Sequence, residues 1–151
     1  MSEYKALGPD DLEPLLDAAK AFFDESDQYI DIPMDVGRSR AVLSALLDNE
    51  KAVVFAAVHG DLVIGLAIAE IVPDLWADRD FVQEHAIYVR PSYRKGRIGH
   101  DLIKLLVGWA DANGAGIHVT VSSGVDDDRA AKLMERHGLQ RRGWLMGKEA
   151  A

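Results

Sequence analysis

The stretch RPSYRKGRIGHDLI, residues 90–103, gathers Arg90, Arg94, Lys95 and Arg97 around Gly96 and Gly99, in a chain whose formal net charge is -8. An apolar, strand-like run ends just before it and a helical pattern begins within it. A tight turn from a strand into a helix leaves backbone N–H groups unpaired, and these carry partial positive charge outward. Glycine lets such a backbone approach a ligand closely. The chemistry implied is capture of a phosphate-bearing anion by main-chain donors, with Arg94, Lys95 and Arg97 adding formal charge. Each cation at a helix start is unfavourable by about 0.3–1 kcal/mol. Three of them in an acidic chain therefore point to an anionic partner rather than to a solvated helix start. The turn lacks the Gly-Lys-Ser/Thr ending of a nucleoside-triphosphate loop and the Gly-x-Gly-x-x-Gly of dinucleotide folds.

Positioning such a turn requires a strand before it and a helix after it. Residues 81–89 alternate as a strand, and Leu102, Leu105, Leu106, Trp109 and Ala110 form one helical stripe from Gly99 or His100 to Ala112, closed by Asn113-Gly114. Residues 117–121 read as the next strand, so the unit is a parallel crossover. Upstream, residues 4–7 predict a short strand. Gly8-Pro9-Asp10-Asp11 then starts a helix carrying Leu12, Leu15, Leu16, Ala19, Phe22 and Phe23 inward. After the loop DQYIDIPMDVG, a second helix is predicted from Arg38 to Asp48 with Val42, Leu43, Leu46 and Leu47 inward. Residues 52–58 and 62–72 form a hairpin through His59-Gly60-Asp61. A helix capped by Asp126 or Asp127 runs to His137-Gly138, and two short strands around Gly143 close the chain. The order defines a single α/β domain over residues 1–151.

The totals narrow the class. There are 151 residues, 48% of them apolar, and no cysteine, which removes disulfides, thiolate metal sites and cysteine nucleophiles and suits a cytoplasmic setting. No secretory leader is recognisable at the N-terminus. The longest apolar run, residues 52–72, is interrupted by a turn and is read as the hairpin rather than as a membrane span. A pI near 5.0 argues against a general nucleic-acid partner.

The segment IYVRPSYRKGRIGHDLIKLLVGWA, residues 87–110, resembles the central motif of the GNAT superfamily of N-acetyltransferases: a strand, V-x-P-x-Y/H-R, then Q/R-x-x-G-x-G/A, then a helix. AAKLMERHGLQ, residues 130–140, is similar to the family's A-x-x-L-Y-E-K-x-G-F, and the element order matches over nearly the whole chain. The resemblance implies a mixed, mostly antiparallel sheet with flanking helices, whose fourth and fifth strands run parallel and splay to admit acetyl-CoA as co-substrate, without a metal. By position, residues Arg94, Lys95, Gly96, Arg97, Ile98, Gly99 and His100 would wrap the coenzyme's diphosphate. Ile87, Tyr88 and Val89 would lie along its pantetheine arm. Two departures stand out. Arg97 replaces the motif's first glycine, and Met134 replaces the tyrosine proposed to protonate the leaving thiolate. Homodimers are common among members, so a dimer is a further expectation.

Acetyl transfer to an amine needs a base, a donor for the oxyanion and an outlet for the thiolate. His85 is the first choice of base, because an imidazole titrates near neutrality. Glu84 is second, and strand alternation predicts that only one of the two faces the cleft. Tyr88 and Tyr93 carry hydroxyls that could serve the thiolate. His118 could approach His85 from the neighbouring strand, and Ser122 and Ser123 are candidate substrate contacts. Asp126-Asp127-Asp128 is read as a helix cap rather than a metal cluster, and the tryptophans Trp76, Trp109 and Trp144 as core or rim. The expected activity is acetyl transfer to a primary amine of a small molecule or protein. The alternatives are a non-catalytic acyl-CoA-binding module and a nucleotide as the anion.

Overall fold

The computed structural model describes residues 2–121, 126–148 and 150. Five strands, β1 (Glu3–Ala6), β2 (Ala52–His59), β3 (Leu62–Pro73), β4 (Asp80–Val89) and β5 (Gly116–His118), lie side by side in sequence order. All neighbours are antiparallel except β4 and β5, which are parallel. Helices α1 (Leu12–Glu25) and α2 (Val36–Asp48) cover one face, where Leu15, Leu16 and Leu43 pack on Val54, Leu66, Ile68 and Tyr88. Helix α3 (Ile98–Ala112) covers the other through Ile98, Leu102, Leu106 and Ala110 against Ile64, Ala67 and Val82. Helix α4 (Asp127–Arg136) packs on α3. Leu15, Leu102 and Leu106 are completely buried, and each contributes about 1.5–3 kcal/mol of burial energy.

Local chemistry explains the boundaries. Asp11 and Gly8 close α1's entry reciprocally, with backbone N–H of Asp11 donating to Gly8 O and that of Gly8 to Asp11 Oδ2, both at 2.9 Å. Asp35 accepts the Arg38 N–H, so α2 begins two residues earlier than its sequence pattern predicts. Gly60 and Gly138 have positive φ at the β2–β3 turn and after α4, where L side chains would be strained. Gly65 serves a different purpose. A β-carbon on it would lie 2.8 Å from Ile98 Cγ2 and 3.1 Å from Leu102 Cδ1, so α3 packs directly on the β3 backbone.

The mixed sheet, the hairpin and the parallel crossover match the sequence reading, but four local expectations do not. Val42 is exposed, because the inward stripe of α2 is held by Leu43, Leu46 and Leu47. β5 stops at His118, and its continuation leaves β4 instead of pairing with it. Residues 139–148 around Gly143 form no strands. Trp76 and Trp144 are almost fully exposed, so of the tryptophans Trp109 alone packs against the core.

Candidate active site

The departure of β5 creates the site. β4 and β5 pair only from Phe81↔Gly116 to Gln83↔His118. Beyond that, residues Val119, Thr120 and Val121 form the far wall of a cavity of about 790 Å³ whose near wall is β4 from Glu84 to Val89. The N–H of Arg90 donates to Ile64 O on β3, so by strand alternation Ile87 and Val89 turn their N–H and C=O groups to the cavity edge. Arg94 Nε donates to Val89 O at 2.8 Å, as that orientation requires.

The turn from β4 into α3 runs through a 3-10 segment at Pro91–Tyr93. Among the described residues, the backbone N–H groups of residues 95–100 donate to no backbone carbonyl, and the first bond of α3 comes from Asp101 N to Arg97 O. Gly96, Gly99 and His100 line the cavity. A side chain at 99 would press on Leu133 of α4, with a β-carbon 3.3 Å from Leu133 Cδ2. His100 Nδ1 meets His137 Nε2 at 3.0 Å. Burial, then the charges of His100 and Lys104, hold the His137 pKa below its ordinary value.

The cationic side chains of the turn are placed differently from expectation. Arg94 is clasped by Glu25 at the end of α1, with Nη1 and Nη2 at 2.5 and 2.6 Å from the two carboxylate oxygens. The hydrogen bond to Arg94 is the main reason that Glu25 titrates below the usual carboxylate range. The Arg94 guanidinium also lies 5.5 Å from the centre of the Tyr88 ring. It therefore bridges α1, β4 and the turn, and its charge is neutralised. Arg97 points to solvent, 4.0 Å from Asp101, and Lys95 is exposed outside the cavity lining. The Ile98 side chain is buried in the core, so only its backbone can serve a ligand.

The ionisable candidates on β4 also separate. Glu84 is buried, and desolvation lifts its pKa to about 7 against the opposing hydrogen bond from Thr120 N–H, 3.2 Å from Oε2. His85 is the extra residue of a β-bulge: Ile68 and Ala69 face Ala86 and Glu84, leaving His85 with no partner across the pair. Its Nε2 lies 2.8 Å from Glu70 Oε1. Both Glu84 and His85 line the cavity, which corrects the exclusivity predicted from alternation: the opening lies at a split edge reached from both faces of the sheet. The Tyr88 hydroxyl is directed to Glu25 rather than to an incoming thiolate, and burial followed by the Glu25 charge raises its pKa. Tyr93 packs beside His59, and the His118 ring lies tilted against Phe81 with centroids 4.3 Å apart; neither lines the cavity. Met134 is buried in the cavity wall. Asp126 accepts the Arg129 N–H as the cap of α4. Ser122 and Ser123 lie outside the described residues. Thr120, Arg129 and His137 join the site without a sequence signal of their own, since their relevance depends on long-range contacts, and Glu25, part of an acidic stretch in the sequence, joins it as the partner of Arg94.

No curated protein matches this sequence. Solved structures do match its fold. An aminoglycoside acetyltransferase from an uncultured soil metagenomic sample is 19% identical, with 100% of this chain and 99% of that one covered and a TM-score of 0.77. The aminoglycoside acetyltransferase AAC(6')-Iy, solved with a bisubstrate analogue of CoA and acetylneamine, is 17% identical over 100% and 99% of the two chains, with a TM-score of 0.75. A protein of Clostridium acetobutylicum described as a predicted acetyltransferase, solved with acetyl-CoA, is 18% identical over 98% and 96%, also with a TM-score of 0.75. Among the described residues no group of acids and histidines is arranged to hold a metal, and no helix is long and apolar enough to cross a membrane. The profile of the Acetyltransferase (GNAT) family matches residues 12–139, and the chain belongs to that family.

Proposed function

We propose that the protein transfers an acetyl group from acetyl-CoA to a primary amine of a small molecule or protein. The observation that carries this reading is one cavity joining three parts: backbone donors of a glycine turn, an unpaired strand edge and a carboxyl group poised to ionise near neutral pH. Its volume of about 790 Å³ falls within the range of small-ligand sites. The main-chain N–H groups from Gly96 to His100 suit a diphosphate, and the free edge of β4 suits an extended amide-bearing arm, which can pair with it as a strand would. Acetyl-CoA would supply the acetyl group as an activated thioester.

In this reading Glu84, rather than His85, removes the proton from the attacking amine. A general base works best with a pKa near the operating pH, and burial places Glu84 there, whereas His85 is engaged by Glu70. The edge N–H groups of Ile87 and Val89 are the candidates to stabilise the oxyanion. Met134 offers no proton for the thiolate, and this favours a second reading, an acyl-CoA-binding module without turnover. A thiol-release assay with acetyl-CoA and a panel of aminoglycosides, polyamines, amino acids and peptides separates the two. Release with at least one amine, with kcat/KM rising through an inflection near pH 7 as Glu84 ionises, is the expected result. Tight CoA binding with no release across the panel would select the module, and neither binding nor release would sink both.

A further inference from the structure

Three cations lining the cavity have no role in the mechanism. Arg129, Lys132 and Arg136 all line it from α4, and their spacing of three and four residues puts them on one helix face. Among the described residues, none of the three has a carboxylate within 4.0 Å. Of the nearby acids, Glu135 pairs with Arg141 at 2.9 Å, Asp126 accepts the N–H of Arg129 and Glu25 holds Arg94, while Asp127 and Asp128 sit in the first turn of α4 outside the cavity lining. Arg129 also stands in the first turn of α4, where a cation opposes the helix dipole, and its Nη2 donates to Arg94 O at 3.3 Å. In a chain of net charge -8, three cations thus face one opening with no salt bridge among the described residues, while the acids of α4 other than Asp126 lie outside the cavity lining.

Two contacts fix the stripe relative to the glycine turn. Leu133 abuts Gly99, and His137 meets His100. From Arg129 to Arg136 the stripe advances seven residue steps, about 10 Å of helix, which is longer than a diphosphate. The turn already offers its own donors for a diphosphate, so the stripe calls for a further phosphate.

We propose that Arg129, Lys132 and Arg136 form a second anion subsite that takes the 3′-phosphate of the coenzyme, so that α4 selects CoA over its 3′-dephospho form. The inference rests on the acetyl-CoA reading of the cavity. CoA carries three phosphates, two in the diphosphate and one monoester on the ribose, and the monoester holds close to two negative charges at neutral pH. Lysine and arginine side chains suit such a group through charge-assisted hydrogen bonds.

The test is calorimetric titration of the full chain with CoA and with 3′-dephospho-CoA, at two salt concentrations. The expected result is that CoA binds about tenfold or more tightly, with the preference shrinking as salt rises. K132Q and R136Q each reduce that preference, and the double variant brings the two ligands to within about twofold. Both positions are exposed, and an unchanged melting temperature verifies the fold. Equal affinity of the unaltered protein for the two ligands overturns the proposal. So does an equal loss for both ligands in the variants, which would assign the cations to the diphosphate. Absence of binding by either ligand instead overturns the acetyl-CoA reading, and this inference with it.

Discussion

The two sides of the cavity manage charge in opposite ways. On the side of α1 and β4, the charges have partners within the protein: Arg94 with Glu25, His85 with Glu70, Arg90 with Asp17 at 2.6 Å. Burial lifts the Glu84 pKa to about 7, so its charge appears only near neutral pH. On the side of α3 and α4, Gly96, Gly99 and His100 and the side chains of Arg129, Lys132 and Arg136 line the opening; among the described residues the N–H groups of the three turn residues donate to no backbone carbonyl and the three cations form no salt bridge. Internal pairing fixes geometry most firmly at the half-buried Arg94–Glu25 pair, where removing one member strands the other. Charge left unpaired beside an opening fits a ligand that arrives with its own. One wall thus reads as scaffold with a proton acceptor set in it, and the other as a receptor for an anion.

The contrast can be broken at graded cost. The largest effect is expected from G99E, which places a carboxylate among the donors and a side chain against Leu133. CoA affinity should fall about 100-fold or more, roughly 3 kcal/mol, with the fold retained; calorimetry that finds the affinity intact would remove the turn from the site. Next comes E84Q, expected to lower kcat by about 10²–10⁴-fold while leaving the KM for acetyl-CoA within a few fold. Its effect on stability has the opposite sign. The native carboxyl pKa of about 7 lies above the ordinary 4.5, so the folded state binds the extra proton between those values. Stability is therefore lost as pH rises from about 4.5 to about 7, by roughly 3 kcal/mol in total. Thr120 N–H can still donate to a glutamine oxygen, so E84Q should melt several degrees above the parent at pH 8 and show no advantage at pH 4.5. A melting curve with the parent favoured at pH 8 would contradict the burial argument.

A smaller effect is expected from E25A, which leaves the Arg94 guanidinium half-buried without its carboxylate. A loss of about 1–2 kcal/mol corresponds to a few degrees in Tm for a chain of this size, read from a thermal melt. R94A should share the stability loss; a pure defect in CoA binding with no change in Tm would return Arg94 to the ligand. The smallest effect belongs to R97Q. With Arg97 86% exposed, its removal should change stability by less than about 0.5 kcal/mol and CoA affinity by less than about threefold, measurable by titration at low salt.

Much of this was legible in the sequence because the relevant signals are local. The glycines of the turn, the stripe of α3, the hairpin at Gly60 and the cap at Asp126 each depend on residues within a few positions of one another. What escaped depends on distance along the chain. The Arg94–Glu25 pair spans 69 residues, so a cation in the motif could not be seen to be neutralised by the end of α1. The bulge at His85 exists only in the register of β3 against β4, and alternation alone could not reveal that Glu84 and His85 share an opening. β5 has the composition of a longer strand, but its last residues diverge to form a wall. The sequence ranks His85 over Glu84 on the ordinary pKa of imidazole and on its place in the strand; the burial that raises the Glu84 pKa, on which the proposed exchange of roles rests, depends on long-range packing.

Gly65 lies on the middle strand of the sheet and is absent from the cavity wall, yet it sets how deeply the first turn of α3 beds into the molecule. A single methyl there would act as a shim under that helix, lifting its leading end and tilting the loop attached to it. The turn proposed to hold the diphosphate is thus levelled from beneath, by the space that a missing side chain leaves, and an error in that foundation would surface in the kinetics as a raised KM for the coenzyme.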